Sequence, residues 1–231
     1  MQSPWNNNLL EGQNFVASYS GGKDSSLALY YAIQHAKPVA LMVMLEEQGL
    51  RSRSHAMPLE IIDAQAAAIG LPILKGSATW SNYEATFLDL LAQAKQLSAE
   101  LLVTGDIDLI AHAEWNQSVC DRSNLKLCMP LWQKPRLEIV HELITLGFEC
   151  MIVTVNLNLG MTVTDLGRIL TLDYVNESLA RNIDPCGEAG EFHTTVIDAP
   201  IFKNPLLVRK GDILYHENYA FLALELNHND L

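Results

Sequence analysis

The segment between residues 15 and 35 constrains the fold more than any other part of the sequence. An apolar run, Phe15 to Ala17, precedes a turn with two adjacent glycines, Gly21 and Gly22, and a helix-like stretch follows from Leu27 to His35. A strand, a glycine turn and a helix in this order gather backbone N–H groups and the positive end of a helix dipole at one point. The segment therefore predicts a nucleotide phosphate site.

The residues of this turn exclude two common nucleotide motifs. The Walker A loop, GxxxxGK[ST], requires glycine at position 17 and Ser or Thr at position 24, where the chain has Ala17 and Asp24. The dinucleotide fingerprint, GxGxxG, fails because Gly21 and Gly22 are adjacent and no third glycine follows at the required spacing. The turn fits neither a P-loop NTPase nor a dinucleotide-binding site.

The same residues resemble the PP-loop signature of the ATP pyrophosphatases, SGGxDS, at every fixed position from Ser20 to Ser25. We call the residues from Ser20 to Ser26 the PP-loop. The resemblance implies that the β and γ phosphates of ATP leave together as pyrophosphate, while a substrate oxygen attacks the α phosphorus and becomes adenylated. The alternative is an ordinary serine-capped helix behind a Gly-Gly turn.

The residue types of the PP-loop suit a polyphosphate. Glycines let the backbone approach the oxyanions, and serine hydroxyls donate hydrogen bonds. Lys23 supplies a positive charge and Asp24 is a candidate Mg²⁺ ligand, so both are candidate catalytic residues. The nucleotide-binding residues expected here are Ser18, Ser20, Gly21, Gly22, Lys23, Asp24, Ser25 and Ser26.

Length and composition indicate an ordinary globular chain. Its 231 residues, 49% of them hydrophobic, are enough for one core and a small second unit. The first residues, MQSPWNNNLLEG, lack the basic and apolar regions of a secretory signal, and the apolar run from Val39 to Leu45 is too short to cross a membrane. We therefore expect a cytoplasmic protein without a membrane partner.

Cysteine spacing and charge argue against two further classes. The four cysteines form no CxxC pair, so we expect reduced thiols and no zinc site. A net charge of −12 argues against a large nucleic-acid interface, which needs clustered Lys and Arg. One local basic stretch, Arg51 to His55, is either a solvated loop or a ligand contact.

Short apolar runs alternate with helix-length segments up to about residue 155. Such alternation indicates βαβ units, which build a parallel sheet with helices on both faces. The strands predicted for this sheet are Asn14 to Ser18, Val39 to Leu45, Pro72 to Lys75, Leu101 to Asp106 with a Gly-Asp turn at its end, and Cys150 to Val155.

The pattern changes after Asn156. Helical pieces near Thr164 to Leu170 and Asp173 to Arg181 precede a glycine-rich acidic turn and several short strands. We therefore predict an α/β domain over residues 1–156 and a smaller α+β domain over residues 157–231. Exposed apolar surface on the second domain would be compatible with a homodimer.

The acidic turn of the second domain carries chemistry of its own. Glu188 and Glu191 are separated by a glycine and an alanine, and His193 follows two residues later. Carboxylates and an imidazole on one turn suit metal binding or acid–base catalysis. The alternative is an acidic surface turn that leads into a strand, with His193 on the solvent face.

Together these motifs resemble the diphthine–ammonia ligase family, a branch of the PP-loop ATP pyrophosphatases, and in particular its compact bacterial and archaeal members. SGGKDS, GDI at 105–107, MPLW at 129–132, CGEAGEFHT at 186–194 and DAPIF at 198–202 follow in the family's order. The resemblance implies a HUP fold, related to the adenine nucleotide alpha hydrolases. It also implies ATP-dependent adenylation of a small-molecule or protein-borne carboxylate, such as diphthine of elongation factor 2, and amide formation with ammonia.

The resemblance also implies roles for residues outside the PP-loop. Backbone near Val43 and Met44 would meet adenine, and His55 matches a histidine that family members place after the second strand. Gly105 and Asp106 would line the α-phosphate side, since ligands bind at the carboxyl ends of parallel strands, although a plain βα turn is the alternative. The catalytic residues expected on the substrate side are Glu188, Glu191 and His193.

One departure from the family pattern bears on the substrate. Family members usually carry basic residues around the positions of Ala111, Ala113 and Trp115, so contacts to diphthine differ or are absent. Two other functions stay open. One is a non-catalytic ATP-binding sensor, and the other is a PP-loop enzyme that modifies tRNA, which the cysteine spacing and the acidic charge disfavour.

Overall fold

The computed structural model describes residues 10–53 and 56–227. Five parallel strands form the first sheet, in the order β3-β2-β1-β4-β5. The strand order reverses between β1 and β4, which is where open α/β sheets bind ligands. The predicted five-stranded parallel sheet is confirmed. Its strands are β1 (Asn14–Ser18), β2 (Lys37–Leu45), β3 (Ile73–Ser77), β4 (Leu101–Val103) and β5 (Lys126–Cys128).

Helices cover both faces of this sheet because its strands are apolar on both sides. In β1, Phe15 and Ala17 pack into the same core as α1 and α5, whereas Val16 lies in the core of α3 and α4. No helix in the described residues is long and apolar enough to span a membrane. The helices are α1 (Lys23–Ile33), α2 (Leu59–Ile69), α3 (Tyr83–Gln96), α4 (Ile110–Ser123) and α5 (Arg136–Thr145).

A second, antiparallel sheet completes the molecule, in the order β7-β6-β9-β8. One helix, α6 (Leu172–Ala180), follows β6, and it confirms the helix predicted near Asp173. The helix predicted near Thr164 is wrong, since only a 3-10 turn, Val163–Asp165, forms there. The smaller α+β unit is thus confirmed. Its strands are β6 (Glu149–Asn156), β7 (Phe192–Asp198), β8 (Val208–His216) and β9 (Tyr219–Leu226).

The assignment of Cys150 to Val155 to the parallel sheet is wrong. This segment is part of β6, which pairs antiparallel with β7 and β9. Six consecutive residues of β6 are buried, because it lies inside the second sheet and packs on both faces. A strand buried on both faces has the same continuous apolar pattern in either sheet type. The fifth parallel strand is instead β5, and a domain boundary after residue 156 stays a prediction.

The two sheets meet at the PP-loop. The backbone N–H of Val196 in β7 donates to the carbonyl of Gly21 at 3.0 Å. Gln65 of α2 is fully buried, and its Nε2 donates to the carbonyls of Gly21 and Val196 at 3.0 and 2.7 Å. The backbone N–H of Lys23 donates to Thr194 Oγ1 at 3.2 Å. Strand β7 therefore holds the PP-loop in position from the second sheet.

Candidate active site

A cavity of about 630 Å³ opens at the carboxyl ends of β1, β2 and β4, and the turn before β7 closes one side of it. Its size falls in the range of small-molecule sites, about 300–1,000 Å³. The structure brings together residues from both sheets that lie more than 160 positions apart in the sequence. The predicted site residues that line the cavity are Ser18, Ser20, Lys23, Asp24, Ser25, Val43, Met44, Gly105, Asp106, Glu188 and His193.

Several predicted residues lie behind the cavity wall. Gly21 and Gly22 do not line it, and Ser26 is fully buried with its hydroxyl donating to Tyr19 Oη at 3.3 Å. Glu191 is buried, and its Oε2 accepts the backbone N–H of Ala189 at 3.0 Å, so it holds the acidic turn together. His55 lies outside the described residues.

Gly21 has a positive φ of 80°. An ideal Cβ at this position would lie 2.5 Å from Gln65 Oε1. The positive φ favours glycine, and the contact with Gln65 leaves no room for a Cβ, so a side chain at this position would cause strain for two reasons. A side chain here would displace Gln65, whose hydrogen bonds connect the PP-loop to β7.

Two backbone N–H groups of the PP-loop donate to serine hydroxyls. Ser20 N donates to Ser25 Oγ at 3.3 Å, and Gly22 N donates to Ser20 Oγ at 3.3 Å. The two hydroxyls also lie 3.1 Å apart. These bonds are longer than the usual distance for N–H donors, about 2.9–3.0 Å. Small movements of the serine hydroxyls would therefore free these N–H groups to donate to a bound anion.

Lys23 is the most buried charge in the cavity, with 5% of its surface exposed. Its Nζ lies 2.7 Å from Asp24 Oδ2 and 3.6 Å from Glu188 Oε1. Burial alone lowers the pKa of Lys23, but the neighbouring acids, chiefly Asp24, raise it above its ordinary value. The ammonium group is therefore charged throughout the physiological pH range.

The acids beside Lys23 are affected by burial in the opposite sense. Burial raises the pKa of Asp24, although Lys23 counteracts it, and burial raises the pKa of Glu188 to about 7. Asp24 Oδ1 is buried and has no hydrogen-bond partner among the described residues. One ligand atom each of Asp24, Cys186 and Glu188 lies within 4.8 Å of the others. The two carboxylates offer the oxygen ligands that Mg²⁺ prefers, whereas burial raises the pKa of the Cys186 thiol and keeps it protonated.

Asp106 forms a hydrogen-bonded group with the first half of α4. Its Oδ1 lies 3.0 Å from His112 Nδ1, and its Oδ2 accepts from Asn116 Nδ2 at 2.8 Å. Burial alone raises the pKa of Asp106, but the hydrogen bonds, chiefly that of His112, hold it below its ordinary value. His112 and Asn116 also line the cavity, and neither was assigned a role from the sequence.

An aromatic wall forms the side of the cavity next to β2, and sequence reasoning did not find it. The Phe87 and Trp115 rings meet edge to face at 4.8 Å, and Tyr83 lies 5.7 Å from Trp115. The guanidinium of Arg53 lies 4.6 Å above the Trp80 ring. The only sequence signal for this wall was the spacing of Tyr83 and Phe87, which places both rings on one helix face.

Comparison with protein families decides the wider relationship. The family model of the diphthamide synthase N-terminal domain matches residues 13–127, and that of the C-terminal domain matches residues 135–229. The chain belongs to the diphthine–ammonia ligase-like family. The resemblance inferred from the PP-loop and the acidic turn is thereby confirmed.

Individual relatives of the family are distant in sequence. A diphthine–ammonia ligase of Schizosaccharomyces pombe is 25% identical over 86% of this chain, which spans only 36% of that protein's length. One of Rattus norvegicus is 29% identical and covers 89% of this chain and 86% of its own. A solved 4-thiouridine synthetase–RNA complex with bound ATP aligns with 58% of this chain and 41% of its own chain at 15% identity, with a TM-score of 0.44.

The three positions around which family members usually carry basic residues have different surroundings in the structure. Ala111 is exposed, Ala113 is fully buried and Trp115 belongs to the aromatic wall. The cavity side of α4 thus presents an aromatic ring and His112 where the family resemblance predicts cations. This side of the cavity therefore combines the flat ring of Trp115 with the polar side chain of His112.

His193 gives a testable link between the site and stability. Burial and the charge of Lys23 lower its pKa to about 4. In the unfolded chain a histidine binds a proton below about pH 6.5, so between these values the unfolded state holds more protons than the folded one. We expect the free energy of unfolding to fall by about 2 kcal/mol for this residue between pH 7 and pH 4.5.

Denaturant unfolding of the wild type and of His193→Asn at both pH values measures this effect. Other groups also titrate in this window, but they are common to both proteins, so the difference isolates His193. The wild type should lose more stability than His193→Asn, whereas a variant at the exposed His216, His216→Asn, should follow the wild type. Equal losses in the wild type and His193→Asn would contradict the lowered pKa of His193.

Proposed function

We propose that the chain adenylates a carboxylate with ATP, releases pyrophosphate, and forms an amide from the acyl adenylate and ammonia. One observation supports this proposal above all. The buried Lys23 stands at the start of α1 with its Nζ 2.7 Å from Asp24 and 3.6 Å from Glu188, in a cavity that both sheets close. Membership in the diphthine–ammonia ligase-like family supports the same reaction.

The charges of the site suit the first half-reaction. A carboxylate that attacks a polyanion is repelled, so positive charge must lie where negative charge develops. Lys23 is held in place by two acids and needs little rearrangement to face a phosphate oxygen. Ser20 and Ser25 add hydroxyl donors, and the start of α1 adds its helix dipole. These residues would bind the triphosphate and orient it for loss of pyrophosphate.

Magnesium fits the carboxylates better than the thiol. Asp24 Oδ1 is a buried oxygen without a hydrogen-bond partner among the described residues, and Glu188 lies close to it. We propose that Asp24 holds Mg²⁺, with phosphate oxygens as further ligands. When bound, the ion would neutralise charge on the phosphates.

The roles proposed on the substrate side differ among the three predicted residues. Glu188 faces Lys23 from the second sheet and is placed to order Lys23 and the substrate carboxyl. His193 lines the same cavity in its neutral form. Glu191 supports the turn that carries Glu188, through its bond to Ala189, and acts indirectly.

Two observations suggest which carboxylic acid is adenylated. The relatives compared above are named diphthine–ammonia ligases, so a diphthine-bearing peptide is the first candidate. The aromatic wall at Trp115 also favours small carboxylic acids with a flat apolar body. A homodimer stays a prediction, supported by exposed apolar residues on the edge strand β8 such as Leu214 and Tyr215.

The decisive experiment incubates the protein with ATP, Mg²⁺ and ammonium, with and without each member of a set of carboxylic acids that includes a diphthine peptide. We expect pyrophosphate, AMP and the amide to appear together with a particular acid and not without it. ATP that binds tightly but stays intact with every acid would favour a sensor. Tight tRNA binding at low salt would favour the tRNA-modifying alternative.

A further inference from the structure

The hydrogen bond between Asp106 and His112 leaves Nε2 of the imidazole available to accept a proton. Asp106 Oδ1 accepts from His112 Nδ1 at 3.0 Å, which places the proton of the neutral ring on Nδ1 and the free lone pair on Nε2. The bond from Asn116 to the other oxygen of Asp106 fixes the carboxylate. A base oriented by a carboxylate is the arrangement that general base catalysis uses.

The position of His112 connects this pair to the reaction site. His112 lies in the first turn of α4, directly behind the end of β4, and 61% of its side chain is exposed. It lines the same cavity as Lys23 and Glu188. A proton that Nε2 takes up can therefore pass to solvent, and His112 is more exposed than Asp24 and Glu188, whose side chains are 22% and 20% exposed.

We propose that His112 Nε2 accepts the proton lost by the attacking amine during amide formation, with Asp106 as its positioning residue. This inference rests on the amide-forming function proposed above. In the step, the nitrogen lone pair of ammonia forms a bond to the acyl carbon, one N–H proton passes to His112 Nε2, and the C–O bond to AMP breaks. AMP leaves with the electron pair of that bond, and His112 later releases its proton to solvent.

The neighbouring groups favour His112 over the other bases of the cavity. The hydrogen bond to Asp106, and more weakly the charges of Asp106 and Glu188, raise the pKa of His112 above its ordinary value. His193 is a much weaker base because its pKa is about 4. Glu188 lies 3.6 Å from the ammonium of Lys23, so an amine must compete with that ammonium for its carboxylate.

The variant His112→Asn tests the proposal because asparagine can still donate to Asp106 but cannot accept a proton. Two assays separate the half-reactions. Acid-dependent exchange of pyrophosphate into ATP, and trapping of the acyl adenylate by hydroxylamine, both report adenylation. Amide formation from ammonium reports the second step. We expect exchange and trapping within twofold of the wild type and amide formation about 100-fold slower at pH 7.

Two further variants give the control and the positioning readout. His141→Asn replaces an exposed histidine of α5 outside the cavity and should match the wild type in all assays. Asp106→Asn removes one of the two acids that face His112 and raise its pKa, the other being Glu188. In a plot of the rate of amide formation against pH, the rising limb of this variant should therefore have a lower apparent pKa. Free imidazole should partly restore amide formation to His112→Gly.

The outcomes separate this inference from the proposed function. If the wild type exchanges pyrophosphate with an acid but His112→Asn forms amide as fast as the wild type, His112 is not the base. If His112→Asn loses exchange and amide formation equally, the residue serves adenylation or binding and the proposal is overturned. If the wild type shows no exchange with any acid, the proposed function itself is wrong.

Discussion

Lys23→Met is expected to reduce acid-dependent pyrophosphate release about a thousand-fold. Methionine has a similar length but leaves Asp24 and Glu188 without the ammonium that lies 2.7 Å from the first and 3.6 Å from the second. Those acids then take up protons, and no fixed positive charge from this position meets the phosphates. The rate constant for pyrophosphate release should fall, while the KM for the carboxylic acid should change less, since the loss falls on the transition state.

Lys75→Met is the matched control. Lys75 forms an exposed ion pair with Asp63 at 2.6 Å, neither residue lines the cavity, and such pairs contribute little to stability. We expect this variant to release pyrophosphate at the wild-type rate. Thermal unfolding of both variants verifies the fold. A folded Lys23→Met protein with turnover within tenfold of the wild type would contradict the assignment of Lys23 to the phosphate site.

The PP-loop could be predicted because its information is local. Ser20 to Ser26 follow β1 and begin α1, so a single short segment specifies the turn, the helix dipole and the charged side chain. The residues of the acidic turn were predicted for a similar reason, and the fold brings Glu188 to Lys23 as the family resemblance implied. The sequence could not show that Glu191 faces inward, because alternate residues of a glycine-rich turn follow no regular period.

The remaining parts of the site depend on contacts that no motif in the sequence marks. His112 is an ordinary helix residue in the sequence, and it lies 3.0 Å from Asp106 because the segment after β4 turns Asp106 toward the first turn of α4. Gln65 is one of three polar residues on α2, and only long-range packing buries it against the carbonyls of Gly21 and Val196. Strand β6 was predicted as a strand yet assigned to the wrong sheet, since burial on both faces does not reveal the direction of its neighbours.

Gly105→Ala is expected to lower pyrophosphate release more than 100-fold and to destabilise the fold by about 2 kcal/mol. A Cβ at this position would lie 2.7 Å from the carbonyl carbon of Asp24 and 2.7 Å from the backbone nitrogen of Ser25. Backbone atoms cannot rotate away as a side chain can, so the segment after β4 and the start of α1 must move apart. That movement displaces the catalytic end of α1 from the turn that carries Glu188.

Gly76→Ala separates this effect from simple overpacking. Its Cβ would also lie 2.7 Å from another atom, but that atom is Cγ2 of Thr86, and the next is Cδ1 of Leu90 at 2.8 Å. These side chains belong to α3, and Gly76 does not line the cavity. Urea unfolding should therefore show a similar loss of stability in both variants, about 1–3 kcal/mol, with pyrophosphate release retained only in Gly76→Ala. Equal activity of the two variants at equal stability would mean that the contact between Gly105 and the start of α1 does not position the PP-loop.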